Sequence, residues 1–199
     1  MWIKICGMTT PDAVAAALEA QADAIGLVFA ESPRRVTLAA ARRLTAPARG
    51  RIRCVAVVRH PSQHEVDEIL AEFAPDVLQG DAAALAELRL PRALERLPVV
   101  RDWSGSRDLP PRTLFEGAVS GSGRLCDWST AAAAARRTQL VLAGGLDPQN
   151  VAAAIAAVGP FGVDVSSGVE ARPGVKDPDR VRRFVTAARA APSVTQEPT

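Results

Sequence analysis

Short apolar runs alternate along the chain with longer segments in which apolar residues recur at helical spacing. Each run is short enough for a buried strand, and each ends in a polar or glycine-containing turn. The pattern predicts eight strands, at residues 2–5, 24–29, 52–58, 76–79, 97–100, 113–117, 140–142 and 162–165. The chain is therefore built by repeating one strand–loop–helix unit.

The segments between the runs carry start signals for helices. Thr10 followed by Pro11 supplies an N-cap and a proline at the first helical position, and Asp177 before Pro178 does the same near the end of the chain. Further helices are predicted at 38–44, 63–73, 82–88, 129–137 and 178–190, and one opens near Pro148. The connection between strands five and six, residues 102–111, is too rich in Gly, Pro and polar residues for a regular helix.

Eight strands with helices in nearly every gap favour parallel pairing, because parallel neighbours need long crossover connections. The predicted fold is a (β/α)8 TIM barrel, formed by residues 1–190 as a single domain, with 191–199 as a flexible tail. The competing fold is an open doubly wound sheet. A dinucleotide fingerprint would support that alternative, but Gly121 and Gly123 lack a third glycine because position 126 is cysteine.

Composition narrows the possible partners. The 24 basic residues are interspersed with 22 acidic ones and the net charge is only +2, so no nucleic-acid surface is indicated. The longest uncharged apolar run, 151–163, is shorter than the roughly 18 residues of a membrane span, and no signal segment is recognised. Three cysteines without Cys-x-x-Cys spacing argue against disulfides and zinc. We expect a cytoplasmic protein that binds a small anionic molecule.

In a TIM barrel the active site lies at the carboxyl ends of the strands, and phosphate is often held after strands seven and eight. Glycines there let the backbone approach a phosphate, and helix N-termini and hydroxyl groups add hydrogen-bond donors. A tight turn alone would explain one glycine pair, but two such loops at neighbouring strand ends favour phosphate binding. The candidate phosphate residues are Gly144, Gly145, Ser166, Ser167 and Gly168.

Cys6, at the end of strand one, is a buried core residue or a general base, and a base needs a nearby positive charge to ionise. Lys4 lies on the same face of the strand and supplies that charge, or it pairs structurally with Asp164. Asp127 is either a helix cap or a general acid. The guanidinium group of Arg34, in a proline-stiffened loop, suits a carboxylate.

Other residues with metal-binding or nucleophilic side chains are assigned no chemistry. His60 and His64 are not expected to bind a metal, because Pro61 interrupts the helix that would align them. Cys54 is assigned to the core, and Cys126 to a position beside the loop.

Five motifs at strand ends, in this order, resemble the phosphoribosylanthranilate isomerase family of tryptophan biosynthesis. The resemblance spans residues 3 to about 184 and rests on Lys4-Ile5-Cys6-Gly7-Met8-Thr9, Ser32-Pro33-Arg34, Ser120-Gly121-Ser122-Gly123 leading to Asp127-Trp128, Leu142-Ala143-Gly144-Gly145-Leu146, and Gly162-Val163-Asp164-Val165-Ser166-Ser167-Gly168-Val169-Glu170 with Lys176-Asp177.

The resemblance implies an Amadori rearrangement of N-(5-phosphoribosyl)anthranilate, without a metal or organic cofactor, by a monomer or homodimer. It implies that Asp127 protonates the ribose ring oxygen, that Cys6 removes the C2 proton, and that Arg34 holds the anthranilate carboxylate. It further implies that Gly145, Ser166, Ser167 and Gly168 help to hold the phosphate and that Asp164 lies near the substrate amine.

Three positions depart from the family pattern. Gln79 stands where the family usually has a histidine, Glu116 replaces a more usual aspartate, and Arg35 replaces a common aromatic residue. Two alternative functions stay open. One is the related bifunctional barrel that also isomerises the histidine-pathway substrate, although that barrel uses a carboxylate where this chain has Cys6. The other is a silent barrel that only binds phosphorylated ligands.

Overall fold

The computed structural model of the protein describes residues 1–101, 103–105, 108–117 and 126–192. Eight strands hydrogen-bond in chain order, each parallel to its neighbour, and the eighth pairs with the first to close a barrel. They are β1 (Trp2–Cys6), β2 (Ala24–Val28), β3 (Arg53–Val57), β4 (Val77–Asp81), β5 (Glu95–Val100), β6 (Arg112–Phe115), β7 (Gln139–Leu142) and β8 (Gly162–Val165). The predicted TIM barrel is confirmed. The motif at 120–123 and the tail from 193 lie outside the described residues.

Seven helices of the described ranges pack around the barrel: α1 (Pro11–Glu19), α2 (Leu38–Thr45), α3 (Gln63–Glu68), α4 (Ala82–Glu87), α5 (Trp128–Ala135), α6 (Val151–Val158) and α7 (Pro178–Ala190). Helix α3 continues into a π-helical turn, Ile69–Phe73, which completes the helix predicted at 63–73. Thr10 and Asp177 cap α1 and α7 as predicted. Helix α6 begins later than predicted, because Asp147 and Asn150 first close a polar turn.

The connection from β5 to β6 contains no helix among its described residues, 101, 103–105 and 108–111, in agreement with the sequence. No helix in the described ranges is both long and apolar enough to cross a membrane.

The loop after β8 forms a hairpin that the sequence analysis did not predict. A 3₁₀ turn, Ser167–Val169, leads into the antiparallel strands β9 (Glu170–Arg172) and β10 (Val175–Lys176). The hairpin turn contains Gly174 at φ +82°, where a side chain would overlap the Pro33 carbonyl. Thr9 Oγ1 donates to the Gly174 carbonyl at 2.5 Å. The hairpin therefore packs against the loops that follow β1 and β2.

Two apolar layers separate the inside of the barrel from its outside. A small cluster that includes Val55, Leu97 and Val141 fills the interior, whereas the larger cluster packs the outer strand faces against the helices. On β1, Lys4 is in register with Ala24 of β2 and with Asp164 of β8. The pairing of β1 with β8 thus places two charged side chains next to each other in the barrel.

Candidate active site

Cys6 is the last residue of β1 and lies against the neighbouring strand. The residue is only 8% exposed. A Cβ atom on Gly26 of β2 would lie 2.9 Å from Cys6 Sγ and 3.2 Å from Lys4 Cε. Because Gly26 has no side chain, the thiol and the lysine share the space beside it.

Lys4 and Asp164 form a buried ion pair next to Cys6. Lys4 is fully buried, and its Nζ donates to Asp164 Oδ1 at 2.8 Å. Burial disfavours the ammonium form, but Asp164 and Cys6 outweigh it and raise the pKa of Lys4 above its ordinary value. The structure therefore contains the ion pair that was one of the two alternatives for Lys4, and the same ammonium group also acts on the thiol.

Several charges act on the pKa of Cys6. Burial raises the pKa of the thiol, the Lys4 ammonium opposes that rise, Asp164 adds to it, and Lys176 opposes it. The net direction is upward, so Cys6 is a neutral thiol in this state. The ammonium groups of Lys4 and Lys176 nevertheless favour the thiolate form.

Asp127 occupies the N-cap position of α5, after β6 and at the same end of the barrel as Cys6. Its Oδ1 accepts from the Ser129 amide at 2.9 Å and from Ser129 Oγ at 2.8 Å, and its Oδ2 accepts from Thr130 Oγ1 at 2.7 Å. The hydrogen bonds from Thr130 and Ser129 lower the pKa of Asp127 to about 2. The capping interpretation is therefore correct for this state, and the acid role stays a prediction.

Arg34, the predicted carboxylate anchor, is held by a carboxylate of the protein itself. Its Nε donates to Glu170 Oε1 at 2.7 Å and its Nη2 donates to Glu170 Oε2 at 3.0 Å, a bidentate pair. A Cβ atom on Gly7 would lie 2.6 Å from Arg34 Cδ, so the glycine after Cys6 lets the arginine cross the end of β1. Gly7 also has φ +80°. The structure thus places Arg34 beside the candidate base.

Lys176, on β10 of the hairpin, joins Glu170 to the end of β8. Its Nζ donates to Glu170 Oε1 at 2.8 Å, to the Ser166 carbonyl at 2.9 Å and to Ser166 Oγ at 3.3 Å. Ser166 Oγ in turn donates to the Cys6 carbonyl at 3.1 Å. Burial disfavours the ionised form of Glu170, but the bonds from Arg34 and Lys176 outweigh it and lower its pKa. Neither Glu170 nor Lys176 was singled out by the sequence analysis, although both lie in its motifs.

The candidate phosphate loops after β7 and β8 are in direct contact. Gly144 and Gly145 have φ values of +89° and +69°, which favour glycine. A Cβ atom on Gly168 would overlap the Leu146 carbonyl oxygen. The Asn150 amide donates to the Gly145 carbonyl at 2.8 Å. The two loops therefore form one glycine-lined turn region, with Ser166 and Ser167 partly exposed at its edge.

A second charged cluster, missed from sequence, lies at the carboxyl ends of β4, β5 and β6. Arg101 Nε donates to Glu116 Oε1 at 2.8 Å, and its Nη1 contacts Asp81. These three side chains are partly exposed, at 23%, 12% and 15% respectively. Asp81 lies just beyond the predicted strand 76–79 and Glu116 lies within the predicted strand 113–117, but their distance along the chain hides the shared arginine.

The remaining candidates behave as core or surface residues. His60 and His64 are exposed and lie near different carboxylates, those of Asp81 and Glu68. Among the described residues no group of three or more His, Cys, Asp or Glu side chains could hold a metal ion. Cys54 is buried, as expected, and so is Cys126.

The fold and the site define a class: a TIM-barrel enzyme with a buried thiol at the end of β1, a carboxylate after β6 and glycine loops after β7 and β8. A model of the N-(5'-phosphoribosyl)anthranilate isomerase family matches residues 3–187. The chain belongs to this family, whose members are isomerases of tryptophan biosynthesis.

Individual relatives agree with the family match. The chain is 41% identical to the N-(5'-phosphoribosyl)anthranilate isomerase of Roseiflexus castenholzii, over 96% of this chain and 99% of that protein. The crystal structure of TrpF from Jonesia denitrificans is similar at TM-score 0.78 and 38% identity, covering 96% of this chain and 98% of the other. A phosphoribosyl anthranilate isomerase in complex with reduced 1-(o-carboxyphenylamino)-1-deoxyribulose 5-phosphate is similar at TM-score 0.77 and 28% identity, covering 95% and 98%.

Proposed function

We propose that this isomerase converts N-(5'-phosphoribosyl)anthranilate into 1-(2-carboxyphenylamino)-1-deoxyribulose 5-phosphate with Cys6 as general base and Asp127 as general acid. The observation that carries this assignment is the position of Cys6. It ends β1 at the carboxyl face of the barrel, beside Lys4 and within the field of Lys176. A thiol surrounded in this way can ionise and accept a proton.

The rearrangement needs one acid and one base at different atoms. The carboxyl group of Asp127 gives its proton to the ribose ring oxygen, the C1–O bond breaks, and the nitrogen lone pair forms a protonated Schiff base. The Cys6 thiolate then removes the C2 proton, and the electrons of that C–H bond form the C1–C2 double bond of an enolamine. The C2 hydroxyl of the enolamine then loses its proton as C1 gains one and the C2 ketone forms, so the atoms balance without a redox step.

The unliganded state holds both groups in the protonation state opposite to the one needed. Burial keeps the pKa of Cys6 raised, so the thiol is protonated, whereas the cap bonds hold Asp127 ionised. When substrate covers Asp127 it removes water from an exposed carboxylate and places the ribose ring oxygen there. Desolvation raises the pKa of a carboxyl group, which brings Asp127 towards the form that can donate.

The same scheme assigns the substrate's two anionic groups to different parts of the mouth. Gly144, Gly145 and Gly168, with the Ser166 and Ser167 hydroxyls, would hold the phosphate near the N-terminus of α6. Arg34 would hold the anthranilate carboxylate and Asp164 would lie near the substrate amine. A related isomerase binds a ligand that carries both a phosphate and a carboxyphenyl group, which supports a ligand with two anionic groups. We place the reaction in the cytoplasm.

Single substitutions test the acid and the base. Cys6→Ser keeps the shape but removes the easily ionised group, and Asp127→Asn keeps a cap side chain but removes the acid. Each should lower kcat by ~10² to 10⁴, the range expected for a lost acid or base. Turnover of freshly prepared substrate is followed by the loss of its anthranilate fluorescence.

The matched controls are Cys126→Ser, which removes the buried thiol that precedes Asp127, and Thr37→Ala, which removes the N-cap side chain of α2. Both should retain near-normal kcat. Wild-type rates in Cys6→Ser and in Asp127→Asn would overturn the assignment.

A further inference from the structure

The chain's lysines are unusually placed. Of 24 basic residues, only Lys4 and Lys176 are lysines, and the others are arginines. Both lysines are almost fully buried, at 0% and 3% exposed, and both act on the charge of Cys6. An ammonium group is a compact charge on a flexible stem, whereas a guanidinium group is a broad planar fork, so lysine suits a crowded buried site.

The charged groups around Cys6 include more positive than negative charges. Lys4, Lys176 and Arg34 contribute three positive charges. Asp164 and Glu170 contribute two negative charges. The five groups therefore carry a net charge of +1 when Cys6 is a thiol, and a thiolate brings the cluster to neutrality. A buried cluster gains most from such neutrality, because water screens its charges little.

The excess charge comes from the hairpin side of the cluster. Lys4 has its own carboxylate in Asp164, whereas Lys176 and Arg34 share the single carboxylate of Glu170. Lys176 meets an acceptor with each of its three N–H bonds: Glu170, the Ser166 carbonyl and the Ser166 hydroxyl. Its ammonium group is thus fixed in place by Glu170 of β9 and by Ser166, the residue after β8, which links it to Cys6.

We propose that Lys176 is a positioning residue for the Cys6 base: its ammonium group leaves the buried cluster with one unbalanced positive charge, which the Cys6 thiolate neutralises during the reaction. The proposal rests on the assignment of Cys6 as the base. It gives the hairpin after β8 a function in proton transfer besides its packing against the loops that follow β1 and β2.

The direct test measures the ionisation of Cys6 itself. Purified protein is treated with iodoacetamide across a range of pH, and labelling of each cysteine peptide is quantified by mass spectrometry. In Lys176→Met the midpoint of Cys6 labelling should move up by about one pH unit, the lower end of the effect of a nearby opposite charge. Lys176→Arg keeps the positive charge, so its midpoint of Cys6 labelling should lie close to that of the wild type. Cys54 and Cys126, each with a pKa raised by burial to about 11, serve as internal controls whose midpoints stay put.

For a second variant we expect the midpoint of Cys6 labelling to shift in the opposite direction. Glu170→Gln removes a negative charge and leaves Lys176 and Arg34 in place, so the net charge of the cluster rises from +1 to +2. The midpoint of Cys6 labelling should then move down. A purely structural role for the hairpin predicts shifts in the same direction for both variants, because each would loosen the same contacts. Shifts in the same direction, or none, would overturn the proposal.

The pH dependence of kcat/KM provides the second readout. The thiolate is the active form of the base, so kcat/KM rises with pH through the pKa of Cys6, and a higher pKa moves that rise to higher pH. Lys176→Met should move the rise by the same amount as the labelling midpoint. If Cys6→Ser is inactive but Lys176→Met moves neither midpoint, the role of Lys176 alone is wrong. If Cys6→Ser is fully active, the base assignment fails while labelling still reports on the charge of Lys176.

Discussion

The candidate base and the candidate acid lie in opposite electrostatic environments on two sides of the barrel mouth. On the β1 and β8 side, Cys6 is buried among charges that come from distant parts of the chain. On the β6 side, Asp127 is exposed and is held by two residues of its own helix. Burial raises the pKa of the thiol, and local hydrogen bonds lower the pKa of the carboxyl group to about 2.

This difference indicates that substrate binding changes the environment of Asp127 more than that of Cys6. The buried base is tuned by the protein's own charges, which water barely screens, so its environment is largely set before substrate arrives. The exposed acid is tuned by solvent and by cap bonds, so its environment changes most when substrate covers it. Mutations should therefore have large effects on stability on the buried side and small ones on the exposed side.

The largest effect on stability is expected for Lys4→Met. The substitution leaves the carboxylate of Asp164 buried without the ammonium group that now lies 2.8 Å away. Removing one partner of a buried ion pair costs about 3 to 5 kcal/mol. Urea unfolding at neutral pH, compared with wild type, measures the change in the free energy of unfolding.

The double variant Lys4→Met with Asp164→Asn serves as the control. Replacing both charged groups by uncharged groups of similar volume removes the uncompensated charge, so most of the lost stability should return. Activity should not return, because the thiol would lose its neighbouring cation. A double variant as unstable as the single one would show that packing, and not charge, explains the loss.

A smaller effect is expected for Arg101→Met on the opposite side. Arg101 holds Asp81 and Glu116 together, but all three side chains are partly exposed, so water can take over part of the arginine's role. We expect a loss of roughly 1 to 2 kcal/mol in urea unfolding, between the buried pair and a surface pair.

Arg53→Met is the matched surface control, since Arg53 and Glu95 are 46% and 32% exposed. It should cost less than about 1 kcal/mol. If Arg101→Met costs as little as Arg53→Met, the cluster at β4, β5 and β6 is an ordinary surface network.

The fold could be predicted from sequence because its signals are local. Apolar runs, the caps Thr10 and Asp177, and the glycines after β7 act within a few residues, and the strand ends then place Cys6 and Asp127 at one face. A repeated unit needs no long-range information beyond the closure of β1 on β8.

The hairpin and its contacts could not be predicted in this way. The turn at Gly174 is fixed by Pro33 and Thr9, which lie far away along the chain. The link from Lys176 through Glu170 to Arg34 also joins separate loops. The rarity of lysine in the chain was the available signal, and it gains meaning only when both lysines are seen to be buried together.

The smallest expected effect concerns the charge of Asp127 as a cap. Its folded-state pKa of about 2 lies below the ordinary value of 3.8, so the ionised form stabilises the native state. That contribution is complete above the unfolded-state pKa and is lost as pH falls through the folded-state value.

Asp127→Asn keeps a capping oxygen without the charge, so the wild type should be slightly more thermally stable than this variant at pH 6. The difference in stability should narrow as pH falls from about 4 towards 2. Thr37→Ala, which removes an uncharged cap, should show a difference that does not vary with pH. A constant gap for Asp127→Asn would mean that the carboxylate caps α5 by shape alone, and that its low pKa plays no part in the stability of the exposed side.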